Sequence, residues 1–157
     1  MTCVVLAAAP AAAPVIEMVG PTRLIDASNV PPGSGMLRVY TDTYKVAAGR
    51  DGSAVKFPHS GFVILDATGA VRQHVDNHGE GRDDAPSNVP LPAGAYFVKA
   101  RCAEYGTVTV PIQILEGKLT PVYLSAGGMP PASQPTGREL VRLPNGHVVG
   151  VRGTPRR

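Results

Sequence analysis

The chain has 157 residues, enough for one domain with a real core. Its 18 glycines and 16 prolines, beside a charged fraction of only 17%, argue against long helices and against a disordered polyelectrolyte. The net charge of +3 is uneven: residues 138–157 carry five arginines against one glutamate, net +4, while the other 137 residues hold ten Lys/Arg and eleven Asp/Glu, net −1. A neutral body without a basic, aromatic-rich face excludes a general nucleic-acid binder, and the basic tail reads as a solvated segment.

Residues 1–14 are an apolar run ending in small residues, the character of a secretory signal that lacks its basic start. They imply export, to the periplasm or beyond. No stretch reaches the ~18 apolar residues that a membrane span needs. A β-sandwich domain is expected over 15–126, a Gly/Pro linker over 127–137, and a basic hairpin or tail over 138–157. Residues 15–18 and 23–25 are read as an early edge strand, and residues 29–35 (Asn-Val-Pro-Pro-Gly-Ser-Gly) as a loop. Leu37, Val39 and Thr41 alternate with Met36, Arg38 and Tyr40, a half-buried strand. Residues 47–60 read as a long loop. Residues 62–65 and 71–75 flank the turn Asp66-Ala67-Thr68-Gly69 as a hairpin, and residues 76–88, the most polar stretch, read as loop.

Beyond this loop the alternation becomes strict. Leu91-Pro92-Ala93-Gly94 is a turn. Tyr96, Val98, Ala100 and Cys102 point inward along one strand, and Val108, Val110, Ile112 and Ile114 along the next. Pro111 cannot donate to a ladder and suggests an edge or a bulge. Glu116-Gly117-Lys118 is read as a hairpin turn, and residues 120–124 as the last core strand. Asn145-Gly146 between apolar runs marks a final hairpin. Cys102 is expected to be a buried free thiol; with Cys3 as the sole other cysteine, there is neither a disulfide framework nor a zinc spacing.

The segment Leu91-Pro92-Ala93-Gly94-Ala95-Tyr96 followed by Gly117, Thr120, Val122 and Leu124 resembles the closing strands of a carboxypeptidase regulatory-like (transthyretin-like, prealbumin-like) domain. That resemblance covers about 35 residues well and about 90 loosely. It implies an all-β, antiparallel, Ig-like or transthyretin-like sandwich of about seven strands, serving as a non-catalytic accessory module for contact with a protein or cell surface. In this pattern Pro92 fixes φ, Gly94 allows a close turn, Gly117 turns between the last strands, and Tyr96 buries its ring while its hydroxyl reaches a backbone group.

The densest polar cluster is His74, Asp76, His78, Glu80, Asp83 and Asp84. It is a candidate for a divalent cation or a glycan, against the alternative of a solvated loop. Calcium is disfavoured by the histidines and by Ser87 at the twelfth position, whereas zinc suits His74 and His78 with one carboxylate. Tyr40, Tyr44 and His59 are read as exposed and available to a surface site. Some transthyretin-like proteins hydrolyse 5-hydroxyisourate and end in Tyr-Arg-Gly-Ser. Val151-Arg152-Gly153-Thr154 is only a partial echo, and the hydrolase is a remote alternative. No nucleophile elbow, dinucleotide fingerprint or phosphate loop is present, so no enzymatic activity and no cofactor are expected.

Overall fold

The structure, a computed structural model, describes residues 17–26, 28, 30–48, 54–78, 85–102, 104–126, 128–134, 136 and 139–153. Alternating apolar residues form thirteen strands among the described residues, and no α-helix. A seven-stranded sheet runs in the order β12 (Leu140–Arg142), β13 (Val148–Arg152), β1 (Val19–Gly20), β10 (Gly106–Ile114), β9 (Gly94–Cys102), β6 (Phe62–Leu65), β7 (Val71–Val75). A four-stranded sheet runs β2 (Arg23–Leu24), β11 (Lys118–Tyr123), β3 (Ser34–Tyr40), β8 (Asn88–Pro92). Residues 47–60, read as loop, contain the small ribbon β4 (Val46–Ala48) and β5 (Ala54–Lys56). No helix among the described residues is long and apolar enough to cross a membrane.

The two large sheets face each other across one core. Leu37, Val39, Val89, Leu91, Val122 and Leu124 from one side meet Phe62, Ile64, Tyr96, Val98, Ala100, Cys102, Val110, Ile112 and Ile114 from the other. Every inward position expected on β3 and β9 is buried, and Cys102 is a fully buried free thiol. The hairpin β6–β7 forms about its Asp66–Gly69 turn, where the Asp66 carboxylate accepts the amides of Thr68 and Ala70. These bonds, with one from the Thr68 hydroxyl, hold that carboxyl below its ordinary pKa.

The expected antiparallel arrangement is corrected: both sheets are mixed. β1 runs parallel to β10, and β3 parallel to β11. The cause lies in the connections. Glu116-Gly117-Lys118 does not make a hairpin, because β10 and β11 belong to opposite sheets; it is an arch across the core edge, with Gly117 at φ 65° in a left-handed conformation that suits glycine. The chain entering β3 reverses at this same end, where Gly117 N–H donates to Ser34 O (3.0 Å) and Gly33 N–H to Glu116 Oε1 (2.7 Å). β3 leaves this turn and β11 leaves the arch from the same end, so the two run side by side in the same direction. The Leu91–Gly94 turn is the second crossing at this end, carrying the chain from β8 to β9, with Ala93 N–H donating to Gly33 O.

The turn itself is built as expected at Tyr96, whose buried ring sends its hydroxyl to Pro92 O (3.0 Å). At Gly94 the close approach is to a side chain: its φ is not positive, and a Cβ there would press on the Tyr96 ring at 3.3 Å. Pro111 is also corrected. It sits inside β10, an interior strand, opposite Phe97. The missing N–H is tolerated because β1 meets β10 at one register pair, Val19 with Ile112, leaving that side of β10 sparsely bonded. β1 is likewise interior, whereas β2 forms an edge.

The C-terminal hairpin joins the sheet. β13 pairs with both β12 and β1, and Val141, Leu143 and Val149 enter the main core. Val148 and Val151 join Tyr123 and Met129 in a second cluster, so the Gly/Pro segment also contributes a buried anchor. Arg152, read as part of a solvated tail, is ion-paired with Glu17 and Glu139.

Burial separates two leucines cleanly. Leu37→Ala, at a fully buried site, is expected to lower the unfolding free energy by about 2–5 kcal/mol. Leu24→Ala, at a residue 77% exposed, should change it by less than about 0.5 kcal/mol. Urea midpoints at unchanged m-value check both.

Candidate functional site

His74 lies on β7, exposed, and Asp76 and His78 follow it, also exposed. His78 Nδ1 hydrogen-bonds with Asp76 O (3.0 Å). Glu80, Asp83 and Asp84 lie outside the described residues. Among the described residues no three His, Cys, Asp or Glu side chains converge as a metal site. Between Asp76 and His78 the chain does something the sequence reading missed. Asn77 is almost fully buried, at φ 58°, a left-handed conformation that asparagine accepts more readily than most residues. Its Nδ2 amide lies 2.9 Å from both Val39 O and Thr41 Oγ1 and 3.2 Å from Ser60 O, while its Oδ1 accepts from Ser87 N–H. The chain is therefore pinned just past the end of β7, and His74 and Asp76 are fixed by an anchor that is itself unavailable to ligand.

His59 belongs to the same buried network. Read as exposed, it is 8% exposed, and its Nδ1–H donates to Thr41 O (2.5 Å). Tyr40 is half-buried and stacks on Tyr123 with ring centroids 4.7 Å apart; Tyr44 remains half exposed. The expected aromatic surface is thus split between a packed pair and one free ring. The signal for this was Thr41: a hydroxyl at an inward position of a strand requires a polar partner in the core.

His74 and Asp76 line a shallow groove of about 600 Å³ on the outer face of the seven-stranded sheet. Its floor follows β6, through Gly61, Val63 and Leu65. Register explains its chemistry. His74 and Lys99 flank Val63 from opposite sides, and Val71 and Phe97 flank Leu65. Lys99 and Arg101, two residues apart on β9, point the same way and form a cationic wall; neither is ion-paired among the described residues. Arg72 turns toward the other face, 5.7 Å above the Tyr96 ring.

The groove borders an open strand edge. Of the four outer strands in the two large sheets, β2 has two residues and β12 three, while β8 carries Pro90 and Pro92, which cannot donate to a neighbour. β7 has five residues, no proline and a 60% exposed Val71. The partial hydrolase echo falls on β13, where Val151 is buried and Arg152 is held by two carboxylates; Thr154 lies outside the described residues.

No protein-family model, curated protein or solved structure matches the chain.

The buried amide gives a sharp expectation. Asn77→Ala should cost about 3 kcal/mol, from several lost hydrogen bonds and the oxygens left unpaired. Asn77→Asp, nearly isosteric, should cost at least as much, because a carboxylate then faces three oxygen acceptors. Equilibrium unfolding measures both, and a near-neutral Asn77→Asp would show that the donor is dispensable.

Proposed function

We propose that this protein is a non-catalytic accessory module of the carboxypeptidase regulatory-like, transthyretin-like kind. It acts after export, and it binds an extended segment of a protein partner by strand addition along β7. The observation that carries this reading is the contrast among the edges: three of the four outer strands are shortened or blocked by proline, and the fourth is neither. An unblocked edge gives main-chain hydrogen bonds for affinity, and the adjoining groove gives side-chain discrimination. The Tyr96–Pro92 turn supports the family resemblance, and the apolar leader supports export.

A second reading, a glycan or divalent cation held at the 74–84 segment, draws on the placement of His74 and Asp76 in one groove. Zinc or calcium that raises the melting temperature of the wild type, but not of His74→Ala or Asp76→Ala, would favour this reading over strand addition.

Successive N–H groups along a strand point to opposite sides. Of Gln73→Pro and His74→Pro, one therefore removes an outward donor and spares the β6–β7 ladder. With the wild type and both variants as baits, a partner bound through β7 is expected to be retained by the wild type and lost by that folded variant. Its binding should also slow hydrogen exchange across Val71–Val75. Equal retention by all three baits, or unchanged exchange in β7, would remove the proposal.

A further inference from the structure

The outer face of the four-stranded sheet holds a separate cavity of about 320 Å³, bordered by Arg23 on β2 and Arg38 on β3. β11 lies between these strands, with Leu119 opposite Arg23 and Met36 and Pro121 opposite Arg38. Both arginines thus stand over an apolar floor made by Leu119 and Met36. Arg38 is oriented: its Nε–H donates to Asn88 Oδ1 (2.8 Å), which leaves both Nη groups for another acceptor. Neither guanidinium is ion-paired with a carboxylate among the described residues. Asp26 also borders the cavity, but its carboxylate accepts from the Ser28 amide (3.0 Å) and hydroxyl (2.8 Å).

Two unpaired guanidiniums over an apolar floor are an arrangement that attracts an oxyanion. Planar N–H forks match tetrahedral oxygens in pairs, and the weakly polar surroundings strengthen each charge-assisted bond. The site has an apolar side as well. Leu24 borders the same cavity and is 77% exposed, the most exposed large hydrophobic residue among those described. An apolar group carried by the ligand would cover it.

We propose that Arg23 and Arg38 bind the phosphate group of an organic phosphate monoester, with its apolar substituent resting on Leu24. The aromatic pair beside the site supplies a reporter. Tyr123 shares a hydrogen bond with Ser133 and lies within electrostatic reach of both arginines, while burial first, and Tyr40 second, hold its phenol above the ordinary pKa and keep it neutral. The chain contains no tryptophan, so tyrosine emission is unobscured.

The test is titration of the full chain with phenyl phosphate and, separately, with inorganic phosphate, followed by tyrosine fluorescence and calorimetry at low salt. Saturable binding of phenyl phosphate is expected, weakened about tenfold or more in Arg23→Ala and in Arg38→Ala, each checked for an unchanged melting temperature. Arg101→Ala, on the opposite sheet, should bind as the wild type does, and Asp26→Asn should bind more tightly. Inorganic phosphate should bind several-fold more weakly than phenyl phosphate, and Leu24→Ala should erase that difference. Equal affinity for the two ligands would overturn the monoester assignment. Absence of saturation, or equal weakening by Arg101→Ala, would overturn the site altogether. Because Arg38→Ala touches a half-buried side chain, the exposed Arg23→Ala decides the outcome should the former prove unstable.

Discussion

Two sheets packed on an apolar core are free to slide and splay unless their ends are tied, and here the ties at opposite ends are of different kinds. At one end the chain itself crosses twice, at Pro92–Gly94 and at Glu116–Lys118, and backbone bonds tie both crossings to the Gly33–Ser34 turn that enters β3. At the other end the tie is the Asn77 side chain, which joins the end of β7 to the carbonyl of Val39 on the facing sheet and to Thr41 and Ser60. Buried amides are costly to leave unpaired and valuable when satisfied, so this residue fixes the spacing of the sheets and the position of the end of β7. The open edge, the groove and the orientation of His74 all depend on where Asn77 holds β7.

The strands themselves were legible because a half-buried strand writes its period into its own residues. Leu37, Val39, Tyr96, Val98, Val110 and Ile112 each needed only local alternation to be placed inward. Sheet membership and direction were not legible, because they belong to pairs of strands. Leu91–Gly94 and Glu116–Lys118 look like hairpin turns in composition, and glycine and proline serve an arch between sheets as well as a hairpin within one. The parallel pairs follow from that one ambiguity: once both connections cross the core at the same end, β3 and β11 must run together. Asn77 was hidden for another reason. It lies among charged residues that belong in solvent, and burial of one member of a polar run leaves no periodic trace.

The basic tail shows the same distinction between composition and position. A cluster of arginines suggests a solvated or anion-seeking segment, yet Arg152 is spent on Glu17 and Glu139, and Arg142 bonds to Gly146 O. These contacts fasten a hairpin whose Val141, Leu143 and Val149 complete the core. Cations without carboxylate partners among the described residues also lie in the neutral body, among them Arg23 and Arg38 on one outer face and Lys99 and Arg101 on the other. Net charge by segment thus pointed away from the surfaces with electrostatic capacity.

Those two faces differ in what they can hold. On the four-stranded sheet, Arg23 and the Asn88-bound Arg38 border a small cavity over Met36 and Leu119, suited to a compact group with directional acceptors. On the seven-stranded sheet, the groove is long and shallow, and it borders an edge strand with main-chain groups to offer. A rigid sandwich allows both at once, because inward side chains set stability while outward ones are free to vary. Leaving β7 unblocked, with Val71 exposed beside it, exposes the chain to unwanted pairing unless a partner normally covers that strand.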